Sequence, residues 1–200
     1  MSKANKTKQI TKTPKNGCGK MSKEVKTSKE LMYKVILAGD GAVGKTSLIE
    51  KFMTGKFEKD YKMTLGTSIF AKSLSVDGSI VKLIIWDLAG QPHFKFVRAG
   101  FYLGATGALL VYDVTRKSTL ENLENWRAEM EKNTGGSVAF SVVVGNKCDL
   151  DNLREVKKSE GKAYADGINA PFFESSAKSG DNVESAFLAL ARGIVKSKGA

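Results

Sequence analysis

The sequence predicts an α/β domain built on a mainly parallel sheet, and three observations predict it. Short apolar, β-branched runs alternate with stretches of helical spacing. Two of those runs, 108–114 and 138–145, are β-branched and largely apolar, as expected of strands covered on both faces. A glycine-rich turn, GDGAVGKT at 39–46, joins the first run to the first helical stretch.

The elements follow in order. Residues 33–39, YKVILAG, read as a buried strand ending in glycine, and 45–53 as a helix. Residues 68–76 and 80–87 read as two strands joined at Asp77-Gly78, a hairpin signal. Between the two apolar strands, 120–133 carries Leu120, Leu123, Trp126 and Met130 at three- and four-residue steps, the spacing of an amphipathic helix. Further helices are expected over 155–165 and 181–196, the last capped by Asp181 with Glu184 three residues on. Strands alternating with helices require right-handed crossovers.

A chain of 200 residues with 42% apolar and 26% charged side chains is the size and composition of one globular domain. No apolar run approaches the roughly 18 residues of a membrane span, and the polar N-terminus is not a secretory signal. The two cysteines, Cys18 and Cys148, have no metal-like spacing, so a reducing, cytoplasmic setting is expected. Of the net charge of +11, residues 1–30 carry +7, from nine lysines and two glutamates. That segment has few large apolar side chains and is expected to be disordered, leaving 31–200 as the folded domain. The domain itself is only mildly basic, which argues against a dedicated nucleic-acid site. The start could be Met1 or Met21.

The turn at 39–46 matches G-x-x-x-x-G-K-[ST] between a strand and a helix, the context of a phosphate-binding loop. Its glycines let successive N–H groups face phosphate oxygens, and the helix N-terminus adds favourable dipole charge. Gly41, Ala42, Val43, Gly44, Lys45, Thr46 and Ser47 are the candidate contacts. Lys45 would reach the β- and γ-phosphates and the Thr46 hydroxyl would ligate Mg²⁺. The apolar run 81–86 ends at Asp87, a carboxylate placed to support that metal. Asn146-Lys147-Cys148-Asp149 follows another strand. Asp149 can accept hydrogen bonds from both guanine N1–H and its 2-amino group, a pair adenine lacks; sites of this kind reject the wrong analogue by about 10⁴-fold or more. Ser176-Ala177-Lys178 could add a backbone contact to guanine O6.

In this order, these motifs resemble the Ras superfamily of small GTPases, Rab-like in flavour. Thr64 in YKMTLG, WDLAGQ at 86–91, NKCD at 146–149, ESSAK at 174–178, FYLGA at 101–105 and LVYDVT at 110–115 carry the likeness over about 31–197. The resemblance implies a P-loop G domain: a six-stranded sheet with one antiparallel strand, 68–76, and about five flanking helices. It implies that Phe57 packs on guanine with Tyr61 nearby, that Thr64 ligates Mg²⁺ and senses the γ-phosphate, and that the Gly90 N–H meets that phosphate. Gln91 and the Thr64 carbonyl would orient the attacking water, and a side chain at Gly41 would obstruct catalysis. The segments 57–70 and 88–102 would move between GTP and GDP states. No arginine stands out as a finger in cis, and Arg98 is expected to face outward, so hydrolysis should be slow, on the order of 10⁻⁴–10⁻³ s⁻¹ as in Ras. An exchange factor, an activating protein and effectors are the implied partners of a monomer.

The chain also departs from the pattern. Leu88 stands where threonine is usual, and Pro92, where glutamate is usual, restrains Gln91 toward extended backbone. Ile69 and Phe70 shift the aromatic expected in Rab proteins by one residue, which on a strand changes its face. The last residues, KSKGA, hold no cysteine for prenylation, so contact with anionic membrane would depend on the N-terminal lysines. A nucleotide-bound scaffold that hardly hydrolyses is the alternative, and Pro92 is its support.

Overall fold

The computed structural model describes residues 30–57 and 64–199. In chain order these form β1 (Leu31–Ala38), α1 (Lys45–Thr54), β2 (Thr67–Val76), β3 (Ser79–Leu88), the short α2 (Lys95–Arg98), β4 (Gly107–Asp113), α3 (Lys117–Glu121), α4 (Leu123–Thr134), β5 (Phe140–Asn146), α5 (Lys158–Gly167), β6 (Phe172–Ser175) and α6 (Val183–Lys198). Among the described residues one sheet holds six strands in the order β2-β3-β1-β4-β5-β6. Only β2–β3 is antiparallel. Its turn places both Asp77 and Gly78 at positive φ, 48° and 85°, as a two-residue hairpin matched to strand twist requires.

The pleat sorts side chains to two cores. Val35, Leu37, Leu109, Val111, Val142 and Val144 meet Leu48, Ile49 and Phe52 of α1 and Phe187, Leu190 and Ile194 of α6. Ile36, Leu110, Tyr112 and Val143, one residue out of phase, meet Leu120, Leu123, Trp126 and Met130 on the other face, with Ala165 of α5. Phe70 packs on the first core while Ile69, beside it, is exposed. The aromatic at that position therefore faces inward rather than outward. Leu88, at the usual threonine position, is fully buried in the second core.

Helix boundaries depart from expectation where side chains intervene. The stretch expected over 120–133 starts at Lys117 and is interrupted at Asn122, where an i→i+3 bond tightens the turn and the Asn122 amide donates to Asp40 at 2.5 Å. Taken together, α3 and α4 make one helical stretch of five. The helix expected from 155 begins at Lys158, because the N–H groups of Glu155 and Val156 are bound to the Val114 carbonyl. Asp181 does not cap the last helix: Asn182 is the cap residue, and the Asp181 carbonyl instead accepts from Ser175 and Ser176. The expected disorder of residues 1–29 lies outside the described residues.

Gly193 of α6 lies against the Phe140 ring, and a Cβ there would approach a ring carbon to 2.1 Å. Alanine is the better helix former by about 1 kcal/mol, but overpacking costs about 1–3 kcal/mol. Gly193→Ala should therefore lower the urea midpoint of unfolding; a raised midpoint would contradict this packing.

Candidate functional site

The carboxyl ends of β1, β3, β4, β5 and β6 open on one edge, where ligands bind in open α/β sheets. The loop after β1 occupies that edge. Gly39, Ala42 and Gly44 have φ of 147°, 62° and 94°, so the chain winds tightly there. A Cβ on Gly39 would strike the Val111 carbonyl at 2.1 Å, which leaves glycine the only residue for that position. Each carbonyl from 39 to 44 accepts a hydrogen bond. Lys45 Nζ donates to Gly39 and Asp40 at 2.7 and 2.8 Å, Arg116 to Gly41 at 3.0 Å, Lys147 to Ala42 at 2.9 Å, and Asn146 Nδ2 to Val43 at 2.8 Å. The Gly44 carbonyl accepts from the Leu48 N–H. With its acceptors engaged outside, such a loop can turn N–H groups to an anion.

Asp113, at the end of β4, anchors two of those donors, pairing with Lys147 at 2.6 Å and Arg116 at 3.2 Å. Burial would raise its pKa, but hydrogen bonds from Lys147 and Thr115 hold it below the usual carboxylate range. Sequence reasoning missed both Asp113 and Arg116; their place in LVYDVTR, right after a strand, was the available signal.

Lys45 is buried, and desolvation lowers its pKa to about 8 despite the opposing charges of Asp87 and Asp40. A multiply charged anion beside it would raise that pKa again and favour the charged ammonium. Next to it, three oxygen-bearing side chains from three elements converge. Thr46 Oγ1 lies 2.6 Å from Asp87 Oδ2 and 2.8 Å from Thr64 Oγ1, and Thr64 Oγ1 lies 3.4 Å from the same carboxylate oxygen. Asp87 is fully buried, which raises its pKa, and its Oδ1 has no hydrogen-bond partner. A hard divalent cation such as Mg²⁺ suits this donor set of one carboxylate and two hydroxyls. Among the described residues no group of three or more His, Cys, Asp and Glu competes as a metal cluster.

Across the loop a cavity of about 300 Å³ is lined by Phe57, Lys147, Asp149, Leu150, Ala177 and Lys178, together with Ala42, Gly44, Ser47 and Asn146. Ser176 Oγ donates to Asp149 Oδ1 at 2.6 Å and so fixes the carboxylate's direction. Asn146 is the tie between the halves: besides holding Val43, its Oδ1 accepts the Ala177 N–H at 3.2 Å. Lys147 adopts φ 68°, a left-handed conformation uncommon for lysine, which its two anchors sustain. Leu150 was not singled out from the sequence, although it directly follows the aspartate.

Gly90 packs on the phosphate loop so closely that a Cβ would lie 2.4–2.5 Å from Asp40 and Gly41 backbone atoms. Gln91 is extended (φ −79°, ψ 146°) ahead of Pro92, as the proline requires, and its Oε1 is buried without a partner. A Cβ on Gly41 would sit 3.7 Å from the Gln91 side chain, in ordinary contact. Tyr61 lies outside the described residues. The structure overturns one expectation: Arg98 does not face outward but is 5% exposed, paired with Glu129 of α4 at 2.6 Å. Its long arm follows helix geometry inward because the neighbouring acid is buried too.

Known proteins place the chain in a lineage. The Ras family profile matches residues 34–196. The Ras-related protein RIC2 of Oryza sativa subsp. japonica is 44% identical over 79% of this chain and 72% of its own length. In Arabidopsis thaliana, the Ras-related proteins RABA5c and RABA1b are 40% and 42% identical over 87% and 79% of this chain, and 81% and 73% of theirs. With that family match over most of the domain and the phosphate-loop motif, oxygen cluster and cavity beside Asp149 in the order described, the chain belongs to the Ras family.

Proposed function

We propose that this member of the Ras family is a molecular switch that binds GTP and GDP with Mg²⁺, hydrolyses GTP slowly, and signals through the segments 57–70 and 88–102. The observation that carries the reading is the meeting, at one sheet edge, of a phosphate loop with all its carbonyls engaged, a buried lysine, a three-oxygen cluster and a cavity lined by Asp149.

In this reading Lys45 and the N–H groups of 41–47 hold the β- and γ-phosphates, and Asp149, Ala177 and Phe57 hold guanine. Thr46, Thr64 and Asp87 would hold Mg²⁺, which supplies positive charge to the phosphate oxygens when bound. Gln91, with its unpartnered Oε1, and the Thr64 carbonyl orient water, while the Gly90 N–H faces the γ-phosphate. Phosphoryl transfer to water depends on positioning and charge more than on covalent chemistry. The γ-phosphate orders both segments and its loss releases them, so the output is the choice of partner: exchange factor, activating protein or effector. A nucleotide-bound scaffold is the second reading, favoured by the extended Gln91 held before Pro92.

Single-turnover hydrolysis of preloaded GTP distinguishes the two. Wild type should lose its γ-phosphate with a rate on the order of 10⁻⁴–10⁻³ s⁻¹, and Gln91→Leu should be slower still; equal retention for many hours in both favours the scaffold.

The lysines ahead of residue 30 are proposed as a weak, salt-sensitive contact for anionic membrane, at about 1 kcal/mol per basic residue near the surface. Among the described residues no helix is long and apolar enough to cross a membrane. Sedimentation with phosphatidylserine vesicles should weaken on deleting residues 1–29; equal sedimentation of both forms would refute the contact.

A further inference from the structure

Within α2, Lys95 is exposed and Arg98 is buried. Arg98 Nε and Nη2 grip the two carboxylate oxygens of Glu129 at 2.6 and 2.9 Å, and Tyr102 Oη donates to the same carboxylate at 3.1 Å. The remaining arm points the other way: Nη1 donates to the carbonyls of Gln91 at 3.0 Å and Ala89 at 3.4 Å, the two residues bracketing Gly90. The guanidinium lies 4.0 Å over the Trp126 ring, whose Nε1 donates to Asp40 of the phosphate loop at 2.7 Å. One helix, α4, thereby holds both the loop and the backbone on either side of Gly90.

This grip matters because Pro92 has no N–H to stabilise the turn after Gln91. A planar fork with five donors can serve a carboxylate and two carbonyls at once; an ammonium cannot reproduce that geometry. We propose that Arg98, held by Glu129, is a positioning residue for hydrolysis: it fixes the 89–91 backbone on α4 and thereby sets where the Gln91 amide meets water. The inference rests on the reading that Gln91 orients that water. Arg98 touches no nucleotide.

The full chain, loaded with GTP, provides the test. Nucleotide dissociation, single-turnover hydrolysis and urea unfolding would be compared for wild type, Arg98→Ala, Arg98→Lys and the swapped pair Arg98→Glu with Glu129→Arg. Misplacement by about 1 Å costs about 100-fold in rate, so hydrolysis should fall about 10- to 100-fold in both single variants. GDP dissociation should change by no more than about twofold, because the base-side cavity is elsewhere. The swapped pair separates the clamp from a plain structural ion pair. It keeps opposite charges across α2 and α4 but takes the donor away from the Gln91 and Ala89 carbonyls. Stability should recover relative to Arg98→Ala while hydrolysis does not. Hydrolysis recovering together with stability, or staying at the wild-type rate in loaded Arg98→Ala, overturns the clamp. A wild type that does not hydrolyse at all instead sinks the underlying reading, and the clamp with it.

Discussion

Six consecutive carbonyls, from Gly39 to Gly44, must all find donors if the loop's N–H groups are to be left free for a ligand. Four side chains and one helical N–H meet that demand: Lys45, Arg116, Lys147, Asn146 and Leu48. The rest of the site follows from how those donors are placed. Lys45 comes from the helix the loop begins, Arg116 from the turn after β4, and Asn146 and Lys147 from the end of β5. The parallel register brings these ends together, Asp113 opposite Asn146 and Leu37 opposite Asp87. A slip of one residue in β5 would turn Asn146 from the loop and break its link to Ala177.

Two kinds of coupling leave this loop. Through Asn146 it is joined to the base-side wall, so the halves of the candidate nucleotide site share one buried amide. Through Asp40, Trp126 and Arg98 it is joined to the segment carrying Gln91. The second route consists of buried polar contacts with discrete partners rather than loose apolar packing, the kind of element that can hold two arrangements.

Much of this was legible in the residues. The apolar strands, the Asp77-Gly78 turn and the phosphate-loop motif are local signals, read from period, composition and glycine spacing, and the elements lie within a few residues of where those signals put them. Less visible was anything depending on which long side chain turns inward. Arg98 reads as a surface cation because nothing within α2 shows that Glu129, 31 residues away, is buried opposite it. Asp113 and Arg116 look like an ordinary strand end, since their role lies in carbonyls some 75 residues earlier. The start of α5 and the cap of α6 also shifted for tertiary reasons, as backbone groups of Glu155, Val156 and Asp181 were claimed by neighbouring loops.

In the proposed switch the γ-phosphate orders two segments of this chain. Hydrogen–deuterium exchange on protein loaded with GDP or with a non-hydrolysable GTP analogue, both with Mg²⁺, tests it most directly. Slower exchange with the analogue, concentrated in residues 57–70 and 88–102 with the strands outside them unchanged, is the predicted result. Identical exchange across both segments in the two fully loaded states would contradict it.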